Sequence, residues 1–213
     1  MAENNGLISK LMKRLHAPVY SARLQELVRQ ITPHLKKCDR VLDVGCGFGA
    51  LGKAILDAPS CPPAVEVLGL ERVKRENELI PVEAYDGETI PYFADAFDVV
   101  ILADVLHHEH DPDRLIRECI RVARRLLIIK DHKVEGPLAQ QRIALLDWAA
   151  NAPYQVPCLY RYNKSEQWHQ LFSKHDLAIE REILSLRLYP PIYNLFFGGK
   201  LQYLAVLGAH KAR

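Results

Sequence analysis

No apolar stretch in the chain is long enough for a membrane span. The longest uncharged one inside a predicted element, Val99 to Ala103, falls far short of the roughly 18 residues that a bilayer-crossing helix needs. The segment from Met1 to His16 mixes Asn, Lys and Arg among its apolar positions and so lacks the continuous apolar core of a secretory signal, which predicts a protein that stays in the cytoplasm. An excess of one charge is missing too: 28 Lys and Arg stand against 26 Asp and Glu, a net +2. That balance argues against a dedicated nucleic-acid binder, whose phosphate contacts call for a basic surface. Residues 1–40 hold eight basic and three acidic side chains, read as a solvated face of N-terminal helices. Cys38, Cys46, Cys61, Cys119 and Cys158 are odd in number, and no two have C-x-x-C spacing. They are therefore read as reduced, mostly buried thiols rather than a zinc or redox set.

What is present is an alternation of short apolar runs and helical patterns. Leu7 to Leu15 and Leu24 to Leu35 read as amphipathic helices, the second with Leu24, Leu27, Val28, Ile31 and Leu35 at helical spacing. Strands follow at Arg40 to Val44, Val65 to Leu70, Val82 to Ala84 and Phe97 to Ala103, with a helix after Gly49. Asp111-Pro112 predicts a helix start, since Asp caps free amides and Pro suits the first turn. Leu115, Ile116, Cys119, Ile120 and Ala123 would form its buried face, and Arg114, Arg117, Arg121, Arg124 and Arg125 a largely solvated one. Leu126 to Ile129 reads as a central parallel strand with a polar end, Lys130-Asp131-His132. Leu138 to Ala150 looks helical, and Asn163 with Glu166 resembles a capping box for a helix reaching about Lys174. Two last strands, around Leu177 to Leu188 and Leu201 to Leu207, predict an antiparallel pair, joined through an apolar loop from Tyr189 to Gly199.

The informative segment is Val41-Leu42-Asp43-Val44-Gly45-Cys46-Gly47-Phe48-Gly49, a strand running into three glycines ahead of a helix. Such a turn lets a ligand press against bare backbone beside free helix amides. Gly45, Gly47 and Ala50 also satisfy the dinucleotide fingerprint G-x-G-x-x-G/A. Two details favour a different ligand. Asp43 would repel a pyrophosphate yet could receive a cation, and Gly49 is a glycine that the fingerprint does not require.

The arrangement closely resembles motif I of class I S-adenosylmethionine (SAM) methyltransferases, an acidic residue ahead of a G-x-G-x-G turn. Gly69-Leu70-Glu71 is similar to the end of that family's second strand, and Tyr85-Asp86-Gly87 with Ile90-Pro91-Tyr92 and Phe97-Asp98-Val99-Val100 to its adenine segment and fourth strand. Asp104-Val105-Leu106-His107-His108 falls where the family closes around the methionine end. The similarity runs from about Arg40 to His132, and its nearest group is the ubiquinone/menaquinone-biosynthesis-like methyltransferase domain. It departs from the common pattern in having Glu71 instead of Asp, and Arg124-Arg125 leading straight into the fifth strand. The resemblance implies a Rossmann-like α/β fold, a seven-stranded, mostly parallel sheet with helices on both faces and a C-terminal antiparallel pair. It implies SAM as cofactor and S-adenosylhomocysteine as product. Asp43, Gly45, Cys46, Gly47 and Gly49 would shape the methionine side with Asp104, Glu71 would hold ribose, and Asp86 and Gly87 would face adenine. One domain would then fill residues 1–213, with a helical cap (1–38), a cofactor half (39–132) and an acceptor side (133–213).

A sulfonium activates the methyl, so the protein must mainly bind and align, with a base if the acceptor is protonated. Ligand-binding side chains of an open α/β sheet sit at its carboxyl ends. His108, His107, Asp131 and His132 are the candidates there, His108 leading, while His110 reads as part of a capping loop. A metal is not expected from the His107-His108-Glu109-His110-Asp111 cluster, because adjacent side chains rarely converge on one ion. The expected acceptor is a small apolar or aromatic molecule, lipid tails included, with no nucleic acid. His16, Tyr20, Arg23, Tyr154, Tyr160, Tyr162, Tyr193, Phe196 and Phe197 could select it, whereas Trp168 reads as core. Two other readings stay open: a SAM-binding protein without activity, and a nicotinamide-dependent reductase prompted by the Tyr160/Lys164 Y-x-x-x-K spacing. Nucleic-acid methylation, a third, would need a catalytic Asn/Asp-Pro-Pro-aromatic motif or an added RNA-binding module.

Overall fold

The computed structural model describes residues 20–151, 158–189, 191–197 and 199–209; the expected Leu7 to Leu15 helix, His16 and Tyr154 lie outside them. Residues 20–31 form helix α1, with Leu24, Leu27, Val28 and Ile31 turned inward as their spacing requires. There follow β1 (Arg40–Val44), α2 (Ala50–Asp57), β2 (Glu66–Glu71), β3 (Val82–Ala84), β4 (Phe97–Ala103), α3 (Pro112–Val122) and β5 (Ala123–His132). The remainder comprises α4 (Ala139–Asn151), α5 (Ser165–Lys174), β6 (Ala178–Ile183), α6 (Pro191–Phe197) and β7 (Gln202–Gly208). No helix among the described residues is long and apolar enough to cross a membrane.

The seven strands form one sheet in the order β3-β2-β1-β4-β5-β7-β6. The first five are parallel, and β7 runs antiparallel between β5 and β6. Helices cover both faces, which is why the centres of β1, β4 and β5 are mostly apolar rather than alternating. Leu42, Val44, Val100, Leu102, Leu127 and Ile129 pack with Leu115, Ile116 and Cys119 of α3 and with Trp168 and Phe172 of α5. Their neighbours Val41, Val99, Ile101, Leu126 and Ile128 pack with α1 and with Leu51 and Ile55 of α2. Each such side chain contributes about 1.5–3 kcal/mol on burial, so the sheet centre is the most secure part of the fold. The chain reverses its direction across the sheet between β1 and β4, and the carboxyl ends there open a crevice.

Several expectations need correction. The fifth strand is not parallel on both sides: it pairs in parallel with β4 and antiparallel with β7, its polar end Lys130, Asp131 and His132 lying in the strand as expected, against Leu204, Tyr203 and Gln202. Asn163 does not cap α5, because its backbone bridges Lys133 instead, and Gln167 Oε1 accepts the amide of Lys164 at the helix start. The Tyr189 to Gly199 segment contains α6 rather than being all loop, with Pro191 at the helix start where a missing amide costs nothing. Ala123 opens β5 instead of extending α3. Three of the five arginines are clamps more than a solvated face: Arg121 binds the carbonyls of Ile90 and Tyr92, Arg124 the Asp98 carboxylate, and Arg125 the Asp39 carboxylate. Of the cysteines only Cys119 is buried; Cys46, Cys61 and Cys158 are partly exposed and Cys38, in a left-handed turn, is exposed.

Candidate active site

The glycine turn joins β1 to α2 with all three glycines at positive φ: Gly45 at 71°, Gly47 at 59° and Gly49 at 76°. Their requirements differ. A Cβ on Gly45 would lie 2.6 Å from a Val105 methyl, so this glycine is needed by the protein's own packing. A Cβ on Gly47 would meet nothing within 4 Å, so its bare face is turned to open space. The turn is tied to β2 twice over. Leu70 O accepts the amides of Gly45 and Cys46, and Glu71 Oε2 accepts that of Gly47 at 2.8 Å.

Asp43 lies beneath this turn, 2% exposed, and its Oδ2 has no hydrogen-bond partner. Burial pushes its carboxyl up to about 7, with Arg23 opposing and Glu71 adding to the shift. An orphaned buried carboxylate oxygen, an open glycine face and a partly exposed Glu71 carboxylate together fit a ligand carrying a cation and a diol. Cys46 packs its side chain over Gly69, and burial pushes its thiol up, away from reactivity. Asp86 is exposed and commits Oδ1 to the amides of Glu88 and Thr89, which hold its carboxyl low. Gly87 beside it, at φ 80°, is covered by Arg72, whose Nη2 binds Glu109 at 2.6 Å.

At the end of β4, Asp104 adopts a left-handed φ of 60° and donates its amide to Lys130 O. Arg23 of α1 reaches its Oδ2 at 2.6 Å, and the buried Lys130 ammonium reaches Oδ1. Burial alone would raise the Asp104 carboxyl, but these two cations hold it well below the ordinary range. Asp104 is thus already engaged, and Arg23, expected on the acceptor side, is its partner. Next to it stands a cluster of histidines. The 3₁₀ turn Leu106–His108 presents His107 and His108, and β5 contributes Asp131 and His132. His107 Nδ1 pairs with Asp131 Oδ1 at 2.6 Å. Burial opposes a charge on His107, yet Asp131 and Asp147 raise it to about 10 and so favour its charged form. His132 goes the other way, lowered to about 4 by burial and by Lys130, and its Nδ1 has no hydrogen-bond partner. Trp168 Nε1 donates to His132 O, so this core aromatic also positions the strand end.

Asp147 of α4 is the member that the sequence reading missed. It is 2% exposed, with Oδ1 3.5 Å from His107 Nε2 and 3.7 Å from His108 Nε2, and it receives the Tyr162 hydroxyl on Oδ2 at 2.7 Å. The readable signal was spacing: Ala139, Ile143 and Asp147 recur every four residues on one buried helix face, where a carboxylate needs partners. Tyr162 lies against His107 and His132 at ring distances of 5.7 and 5.8 Å. Tyr160, Tyr193 and Phe196 are exposed, as is His110. Tyr160 precedes α5 and Lys164 stands at its start, so the pair does not share the helix face that a reductase requires.

A sequence model described as a methyltransferase domain matches residues 16–182. The chain belongs to the methyltransferase domain family. SAM is therefore its cofactor class. A ubiquinone biosynthesis O-methyltransferase of Coxiella burnetii is 30% identical over 114 residues, covering 51% of this chain and 47% of that protein. A ubiquinone/menaquinone biosynthesis C-methyltransferase of Neisseria meningitidis is 29% identical over 122 residues, covering 50% and 49%. The chain spans about half the length of these curated relatives. Among solved structures, the 1,6-didemethyltoxoflavin-N1-methyltransferase of Burkholderia thailandensis, with its namesake compound and S-adenosylhomocysteine bound, has a TM-score of 0.62 at 15% identity over 96% of this chain and 88% of that one. A putative methyltransferase of Haloferax volcanii in complex with the Trm112 activator has a TM-score of 0.64 at 14% identity, covering 95% and 93%.

Proposed function

We propose that the protein transfers the methyl group of SAM to a small apolar or aromatic molecule through an ionisable hydroxyl, by in-line displacement. The observation that carries this reading is the cluster of His107, His108, Asp131 and His132 beside Asp104, at the carboxyl ends of β4 and β5. SAM, when bound, supplies a methyl on a positively charged sulfur, which an aligned nucleophile displaces without a covalent enzyme intermediate. This chain's residues bind and orient. Asp43, Gly45, Cys46, Gly47 and Gly49 shape the methionine side, Glu71 accepts the ribose hydroxyls, and Gly87 with Asp86 borders the adenine. Asp104 acts through its ion pairs, fixing α1 and β5 around the methionine end.

His107 is held by Asp131 and Asp147, which raise it to about 10, so it is poorly placed to take the acceptor's proton. His108 is the more exposed of the pair, 18% against 3%, and is the ring that an acceptor meets first. Residues 39–132 thus serve as the cofactor half of a single domain, with 1–38 and 133–213 framing the acceptor. Five free cysteines suit a reducing, cytoplasmic setting. The test is calorimetric titration with SAM and S-adenosylhomocysteine, NADH and NADPH serving as controls, then a screen of phenols and catechols read by homocysteine-product release. Saturable binding of the adenosyl ligands alone, with release on at least one phenol, supports the reading. Binding of a nicotinamide cofactor alone overturns it, and adenosyl binding without turnover of any acceptor leaves a SAM-binding protein.

A further inference from the structure

We infer that His107, His108 and Asp147 form a binding site for a divalent cation of the imidazole-preferring kind, zinc-like rather than magnesium-like, at the acceptor end of the crevice. The inference deepens the reading above and rests on it for the acceptor. Each of the three side chains brings one donor atom within 4.8 Å of the other two. Asp147 Oδ1 stands 3.5 Å from His107 Nε2 and 3.7 Å from His108 Nε2. Although His107 and Asp147 still interact, those separations lie beyond the best hydrogen-bond range of about 2.7–3.2 Å. They are close to the edge of a tetrahedron of donors around an ion, about 3.4 Å for bonds of about 2.0–2.2 Å.

Outer partners aim two of the donors. Asp131 holds His107 Nδ1 at 2.6 Å, which turns Nε2 toward the site. Tyr162 donates its hydroxyl to Asp147 Oδ2 at 2.7 Å, and Oδ1 is the oxygen nearer the two rings. Carboxylate-held imidazole and hydrogen-bonded carboxylate are the supports that metal ligands need. Adjacent histidines converge here because the 3₁₀ turn tilts their rings by 44° at a centroid distance of 4.0 Å. The charge also fits. Asp131 and Asp147 flank one imidazole while the Lys130 cation is engaged by Asp104, so the site has carboxylates near it without a free lysine to oppose a cation. Two imidazoles and one carboxylate select a zinc-like ion, and a fourth position remains for the acceptor's oxygen. The neighbouring trio Asp104, His107 and His132 is the poorer site, because Asp104 already holds Arg23 and Lys130.

The test is titration of chelator-treated protein with Co²⁺, followed by the visible absorption of tetrahedral cobalt, with S-adenosylhomocysteine calorimetry on the same samples. One equivalent should give the bands. Asp147→Asn and His108→Ala should abolish them, Tyr162→Phe should weaken cobalt about tenfold, and His110→Ala, at an exposed neighbouring histidine, should change nothing. Unaltered S-adenosylhomocysteine binding in all four variants would show that the cofactor half is folded and separate. Bands that are absent, that survive Asp147→Asn and His108→Ala, or that vanish with His110→Ala overturn the site. Such results would leave the cofactor reading standing and return His108 to the role of base. Loss of S-adenosylhomocysteine binding by the parent protein would instead overturn the methyl-transfer reading on which the acceptor rests.

Discussion

Glu71, the last residue of β2, accepts the backbone amide of Gly47 at 2.8 Å, so the end of one strand braces the turn that follows its neighbour. The same carboxylate is the one assigned to the ribose diol, and its second oxygen accepts the Arg72 amide at 2.9 Å. Hydrogen bonds to a charged group are worth about 1.5–3 kcal/mol, so Glu71→Ala should weaken SAM about 10- to 100-fold. Glu71→Gln, which keeps an acceptor for Gly47, should lose less. Calorimetry gives the affinities and circular dichroism checks the fold; unchanged affinity in Glu71→Ala would refute the ribose role.

Gly45 and Gly47 separate packing from ligand space. Gly47→Ala adds a methyl that touches no protein atom, so its cost to stability is the left-handed backbone alone, about 1–2 kcal/mol. Its cofactor affinity should fall at least tenfold. Gly45→Ala drives a methyl into Val105 and should destabilise more, with Val105→Ala in the same chain recovering part of the loss. Urea melts set beside calorimetry distinguish the two; a Gly47→Ala protein with full affinity would remove this glycine from the cradle.

Asp104 between Arg23 and Lys130 predicts a stability effect with a defined pH sense. Asp104→Ala leaves two cations without their partner in a largely buried setting, at a cost of about 3–5 kcal/mol. The folded carboxyl is held below its unfolded value, so its stabilisation is present above about pH 4 and fades as pH falls toward the folded value. Urea unfolding of both proteins from pH 7 down to pH 3 should show the gap narrowing. A constant gap would mean that the ion pairs do not supply the difference.

Asp43 has the opposite sense. Its folded value of about 7 lies above the unfolded one, so the folded protein keeps a proton between about pH 4 and 7 that the unfolded chain gives up. Its contribution to stability therefore falls as pH rises through that window. A cationic ligand beside it should expel the proton, so SAM should bind more tightly as pH rises toward 7 and release protons near pH 6.5. Calorimetry in two buffers of different ionisation enthalpy measures the release. Asp43→Asn should abolish it, and no difference between buffers in the parent protein would refute it.

Much of the scaffold was legible because local and global preferences agree. The limits of β1, β3 and β4 follow from short, mostly apolar runs set between polar breaks, and Asp111 caps α3 by accepting the Arg114 amide. The family signal lay in the same stretch, where glycines and a strand-end carboxylate are close in sequence. The acceptor side was harder to read. Asp147 meets His107 from 40 positions along the chain, and Arg23 meets Asp104 from 81, so neither pairing leaves a local pattern. Aromatic and glycine content made α6 look like a loop, although Pro191 suits a helix start.

The antiparallel placement of β7 sets an order of assembly. Lys130 gains its second strand partner from Leu204, and Asp131 and His132, which extend past the end of β4, gain theirs from Tyr203 and Gln202. Those residues leave the ribosome some 70 positions later, after α4, α5 and β6. Until then one edge of β5 is open, with Leu126 to Ile129 along it, and such an edge is a place for wrong pairing. The glycine turn is translated first, and the strand end carrying Asp131 and His132 is finished only when a distant strand slots in, the slow kind of closure. A newborn chain could therefore recognise its cofactor before it is able to use it.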